Sequence, residues 1–255
     1  MASIGDLYPE LLRLRAEGLA KYGARQTDDL GAPPSRCFLP VVWRASQGVT
    51  LPAVAAGPLR VGAIGPSMRL AEEAVRARDR VKVLDVGCYT GQFREYLRLR
   101  KPARTIEYVG VDVAPPQVTF PIYTDLDAVP DRDFDLILMS EVAEHMPADV
   151  FVREYLARFP AMLASDGMLV VSVPNPTCPG ALERDVTHVQ HYPWYDLYAL
   201  LRRHFGKVEV MRTHFIASPR RFCTLPLRWA LSYALEFDWC EGLVLTARDP
   251  RPIPD

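Results

Sequence analysis

Apolar positions along the chain fall into two rhythms. Residues 81–86 form an apolar run broken only by Lys82 and Asp85, the pattern of a strand buried on both faces. Similar runs occupy 108–113, 133–140 and 167–173. Helical spacing marks 9–22 through Leu11, Leu12, Leu14, Leu19 and Tyr22, and 66–80 through Met68, Leu70, Ala71, Ala74 and Val75. Pro66 suits a first helical turn. Further helices are predicted at 92–100, 147–163 and 193–205, with strands at 207–212 and 241–247. Strands alternating with helices point to an open, largely parallel α/β sheet. Residues 26–59 are rich in Pro, Gly and short apolar runs and read as irregular.

The first strand leads into Val-Gly87-Cys88-Tyr89-Thr-Gly91-Gln-Phe93, with Asp85 at its carboxyl end and a helix opening at about Gln92. A tight glycine turn before a helix N-terminus lets a ligand approach the backbone and offers it free N–H groups. In an open sheet this is where nucleotides bind. No Lys-Ser or Lys-Thr pair follows Gly91, so the turn is not a P-loop, and Gly87-x-x-x-Gly91 lacks the dinucleotide spacing. Taken alone, the turn also fits an ordinary strand-to-helix connection.

With an acid two residues before the first glycine, the turn resembles motif I of class I S-adenosylmethionine (SAM)-dependent methyltransferases. The later segments resemble the same family in order: Tyr-Val-Gly-Val-Asp112-Val113, then Asp-Phe-Asp-Leu-Ile-Leu-Met-Ser140 continued by Glu141-Val-Ala-Glu144-His145, then Gly-Met-Leu-Val-Val-Ser-Val. The resemblance implies a Rossmann-like, seven-stranded, mostly parallel sheet with flanking helices, its last strand antiparallel at the sheet's end. It implies SAM as cofactor. It places Asp85 near the ammonium group, Asp112 on the ribose hydroxyls and Asp125, within Thr124-Asp125-Leu126, near the adenine amino group. The full set of expected cofactor contacts is Asp85, Gly87, Cys88, Tyr89, Gly91, Phe93, Asp112, Val113, Asp125, Leu126, Ser140 and Glu141.

Two departures from the pattern stand out. Ala114-Pro115-Pro116-Gln117 cannot form a helix, and 124–132 is similarly short, so the helices after strands two and three are reduced. The exposed strand surface needs a cover. The N-terminal extension, residues 1–80, is expected to lie over that face or over the cofactor mouth, with the methyltransferase core at 81–255. The second departure is Tyr89, a bulky side chain expected to narrow the glycine turn.

Methyl transfer from a sulfonium requires an aligned acceptor and removal of its proton. Candidate bases are His145, His188 and His191, in the loops after the fourth and fifth strands. Glu-x-x-Glu-His with a distant Thr187-His188 resembles the ubiquinone-pathway O-methyltransferases and the small-RNA 2′-O-methyltransferases. That resemblance implies a Mg²⁺ or Mn²⁺ ion on Glu141, Glu144, His145 and His188. Against this stands a metal-free reading, with Glu144 and His145 orienting the next helix and His188 or His191 acting as base or substrate contact. His204 sits at a helix end, where a cation is favoured, and reads as structural. The insertion at 214–238 mixes arginines with apolar residues and suits an acceptor lid or a contact between two copies of the chain.

Composition narrows the partners. The 255 residues are 49% hydrophobic and 24% charged with a net charge of −1, so no global field draws the chain to nucleic acid or membrane. Five cysteines without a CxxC pair read as free thiols of a reducing cytoplasm. The first residues do not read as a secretory signal, and no apolar run nears the ~20 residues of a membrane span. The expected function is a SAM-dependent O-methyltransferase acting on a small-molecule hydroxyl. An RNA 2′-O-methyltransferase and a non-catalytic methyltransferase-like binding subunit are the alternatives.

Overall fold

The computed structural model describes residues 8–22, 64–76, 78–100, 103–115, 117–130, 132–176, 178, 187–213, 227 and 242–251. The expected irregular stretch at 26–59 lies outside the described residues, as does the 214–238 insertion apart from Leu227.

Seven strands form one sheet in the order β3-β2-β1-β4-β5-β7-β6. The strands are β1 Arg80–Val86, β2 Thr105–Val111, β3 Ile122–Tyr123, β4 Phe134–Ser140, β5 Leu163–Pro174, β6 Phe205–Thr213 and β7 Gly242–Pro250. The pairs β1–β2, β1–β4, β2–β3 and β4–β5 are parallel, and β7 runs antiparallel to both its neighbours. The sheet is the Rossmann-like seven-stranded arrangement expected from the sequence. One detail differs: β7 does not close the sheet but inserts between β5 and β6, leaving β6 at the edge. The apolar run Gly242–Ala247 is buried throughout, which requires a neighbour on each side.

Helices cover both faces. Helix α1 (Tyr8–Tyr22) comes first along the chain. Two helices, α2 (Ile64–Arg76) and α3 (Gln92–Arg100), contribute Ala71, Val75, Phe93, Tyr96 and Leu97 to one apolar cluster under β1, β2 and β4. The other face is covered by a helical segment over 143–162 and by α6 (Trp194–His204), which bury Phe151, Leu156, Phe159, Trp194, Leu197 and Tyr198. The predicted single helix at 147–163 is instead broken. It runs as α4 (Ala148–Val150), a π turn (Phe151–Leu156) and α5 (Phe159–Met162). Pro160 explains the break: it has no N–H, and its ring clashes with a carbonyl four residues back, so the preceding turn widens.

No helix follows β2 or β3 among the described residues. The connections supply their own cover. The Phe120 ring meets Tyr108 edge-on at 5.0 Å, and a Cβ at Gly91 or Gly110 would strike it at 2.6 and 2.9 Å. Leu126 and Val129 enter the cluster on the opposite face. Two helices of the N-terminal extension are among the described residues. Helix α2 lies against α3, β4 and β5, while α1 lies on α6. Gly18 approaches the Tyr198 ring so closely that a Cβ would sit 2.5 Å from it. Glu17 accepts from the Tyr198 hydroxyl at 3.1 Å and from Arg202 at 2.9 Å, and Arg203 reaches Glu10 at 3.0 Å.

Candidate functional site

The crevice lies at the carboxyl ends of β1, β2 and β4, on either side of the order reversal at β1. Its floor is the glycine turn. Gly87 (φ 73°), Tyr89 (φ 44°) and Gly91 (φ 79°) are all left-handed, a run that glycine tolerates and tyrosine does not readily adopt. Tyr89 is 61% exposed. What holds Tyr89 is its backbone: its N–H donates to Asp112 Oδ2 at 2.9 Å. Ala114 N–H donates to Asp112 Oδ1 at 3.0 Å, which fixes that carboxylate just past the end of β2. Val113 beside it is 84% exposed.

Asp85 is turned inward. It is 2% exposed, and the Tyr108 hydroxyl donates to it. Burial, with Asp112 nearby, outweighs that bond and raises its carboxyl to about 7. Cys88 is buried beside it, and burial and the two aspartates push its thiol up to about 12, which makes it inert. Phe93 and Leu126 belong to the two apolar clusters, so their side chains serve the core. Asp125 is exposed and accepts from Thr124 Oγ1 at 3.3 Å and from Ala128 N–H at 2.9 Å.

Beyond β4 the chain turns sharply. Glu141 has φ 58°, and its N–H donates to the Ser172 carbonyl at 2.9 Å. Its Oε1 accepts from Ser172 Oγ at 3.0 Å. A short 3₁₀ turn, Ala143–His145, follows. There the structure brings Glu144, His145 and His188 together, with one ligating atom of each lying within 4.8 Å of the others. Glu141 is not in that group. The His145 and His188 rings meet at 4.8 Å, and His188 and His191 at 6.4 Å. The loop is pinned to the 3₁₀ turn because Val189 and Gln190 N–H both donate to the Glu144 carbonyl, at 2.9 and 3.1 Å.

His145 Nδ1 lies 3.0 Å from Thr187 Oγ1 and 3.3 Å from the Thr187 carbonyl. A carbonyl only accepts, so a proton on Nδ1 satisfies the contact and leaves Nε2 with a lone pair for a proton or an ion. One carboxylate and two imidazoles gathered in this way suit a divalent cation, and the carboxyl of Glu144 is buried, at 2% exposure. Sequence reasoning missed Ser172, which grips Glu141 and carries no motif. Tyr192, which the sequence offers either as an acceptor-pocket aromatic or as core, is buried, and burial and the charges of Glu144 and Asp149 push its hydroxyl well above its ordinary range. His204 is buried, and burial lowers it to about 4, so it is neutral and not the helix-end cation expected.

A methyltransferase domain family matches the chain over residues 61–217. No curated protein matches it in sequence. Among solved structures, a SAM-dependent methyltransferase from Archaeoglobus fulgidus is 18% identical, with 72% of this chain and 94% of that one covered and a TM-score of 0.51. The [4+2]-cyclase SpnF is 20% identical, with 78% and 92% covered and a TM-score of 0.50. The 1,6-didemethyltoxoflavin-N1-methyltransferase of Burkholderia thailandensis is 19% identical, with 98% and 92% covered and a TM-score of 0.49. At these identities the likeness is one of fold.

Proposed function

The chain belongs to the class I SAM-dependent methyltransferase family, with SAM as its cofactor, and from that premise we propose that it methylates a hydroxyl of a small organic acceptor. The observation that carries this reading is the gathering of Glu144, His145 and His188, with His191 beside them, at the strand ends next to the crevice. SAM supplies an electrophilic methyl on a good leaving group, so the protein's task is to align the acceptor and take its proton. The glycine turn, Asp112 and Asp125 hold the cofactor. His145, fixed by Thr187 through Nδ1, offers Nε2 as the proton acceptor, and His188, packed against its ring, and His191 are the further candidate bases.

Glu144, His145 and His188 also fit a divalent ion, Mg²⁺ or Mn²⁺, which would lower the acceptor hydroxyl's pKa. The same donor set would suit an RNA 2′-hydroxyl. A net charge of −1 supports the small molecule, because RNA binding rests on neutralised phosphates. Among the described residues no helix is long and apolar enough to cross a membrane.

The test combines Mn²⁺ titration followed by electron paramagnetic resonance with methyl transfer from labelled SAM to a panel of phenols, sugars and RNA 3′ ends. The expected result is Mn²⁺ binding lost in His188→Ala, with label on hydroxyl acceptors. Label on nitrogen alone would overturn the O-methyl reading. Unchanged transfer under chelation, with no Mn²⁺ bound, would remove the ion and leave the histidines as bases. A folded chain that binds no SAM would favour the binding-subunit alternative.

A further inference from the structure

The ends of β4 and β5 carry a chain of hydroxyls that the proposed proton transfer does not use. Ser67 on α2 and Ser172 on β5 are fully buried, and Ser140 is half-buried. Ser140 Oγ lies 3.5 Å from Ser67 Oγ and 2.6 Å from Ser172 Oγ. Ser172 Oγ then donates to Glu141 Oε1 at 3.0 Å, while its carbonyl accepts the Glu141 N–H at 2.9 Å. Ser172 thus grips Glu141 at both side chain and backbone. It does so with Glu141 at φ 58°, a conformation that a non-glycine keeps only where its surroundings impose it.

The grip has a direction. Val142, the next residue, lies against the glycine turn: a Cβ at Gly87 would meet Val142 Cγ2 at 2.2 Å. Glu141 is therefore seated beside that turn, which leads in sequence into α3. The first N–H groups of a helix have no intrahelical partner and favour a carboxylate. An α-amino acid bound there by its carboxylate must place its ammonium, carried on the same carbon, against a nearby acid. Asp85, the acid assigned to this role by sequence position, is buried and already accepts from Tyr108.

Resting on the SAM reading above, we propose that Glu141, held by the Ser67–Ser140–Ser172 hydroxyl chain, receives the α-ammonium group of SAM in place of Asp85. Ser172 and Ser67 are positioning residues, and through Ser67 the helix α2 of the N-terminal extension takes part in cofactor binding.

Calorimetry with S-adenosylhomocysteine and with its analogue lacking the α-amino group tests this. Wild type is expected to prefer the amino form. Glu141→Gln should lose about tenfold to a hundredfold for the amino form and nothing for the deamino form. Ser172→Ala should shift the ratio the same way but less, with Ser172→Thr restoring it, a pattern that simple loss of stability would not give. Asp85→Asn should keep the wild-type preference. Glu141→Gln or Ser172→Ala retaining the full preference, or Asp85→Asn abolishing it, would overturn the assignment. Wild type binding neither ligand would overturn the SAM reading itself, and this assignment with it.

Discussion

Asp85 and His204 show how burial overrides what a residue's position suggests. Asp85 has its carboxyl raised to about 7 from 3.8. The folded state therefore binds its proton more tightly than the unfolded chain. The stabilisation is complete below about pH 4 and is lost as pH rises towards 7, at about 1.4 kcal/mol per unit. His204 works in the opposite sense. Lowered to about 4 from 6.5, it disfavours protonation in the fold, so its contribution is lost as pH falls from 6.5 to 4. The two offset each other between pH 4 and 6.5. Asp85→Asn removes one side, so the variant should gain stability relative to wild type as pH rises from 4 to 7, read by urea unfolding at several pH values. A constant difference across that range would show that Asp85 is ionised in the fold. Sequence located both residues correctly, Asp85 at a strand end and His204 at a helix end, but the Tyr108 hydroxyl and the closed environment come from partners far along the chain. The same holds for Glu141: its motif was legible, whereas the Ser172 hydroxyl that grips it, and Ser67 further along the hydroxyl chain, carry no signal in sequence.

At the scale of elements, the strands were legible because buried parallel strands read as unbroken apolar runs. Their order was not, and β7 entered between β5 and β6 because only pairing positions it there. The missing helices were also legible, through Pro115 and Pro116. Their replacement was not, because Phe120, Leu126 and Val129 are single side chains in loops without periodicity. Helix α1 offers a quantitative test of packing against propensity. Gly18→Ala would favour an isolated helix by about 1 kcal/mol. Here the new Cβ would lie 2.5 Å from the ring of Tyr198, which is 1% exposed and has nowhere to move. Overpacking of that kind costs about 1–3 kcal/mol. Gly18→Ala should therefore lower stability in thermal unfolding, and in a Tyr198→Leu background the same substitution should become neutral or stabilising. Equal effects in both backgrounds would mean that α1 does not dock on α6 in solution.

The whole molecule raises the question of what the N-terminal extension contributes to a core that already contains the crevice. Its described helices divide the work. Helix α1 touches α6, three residues beyond His191, through Glu17, Glu10 and the Tyr198 ring. Helix α2 touches β4 and β5 and brings Ser67 to Ser140. The two helices should therefore separate when the chain is shortened. A chain beginning at residue 60 loses α1, uncovers Tyr198 and forfeits the burial of Leu14, a loss of about 2 kcal/mol or more. It keeps the glycine turn, Asp112 and Glu141, so its affinity for S-adenosylhomocysteine should match the full chain's while its unfolding midpoint falls. A chain beginning at residue 78 also loses α2, and with it Ala71, Val75 and the Ser67–Ser140 contact. That chain should bind the cofactor product weakly even where it remains folded at low temperature. Loss of binding already at residue 60 would instead place the removed segment over the cofactor mouth.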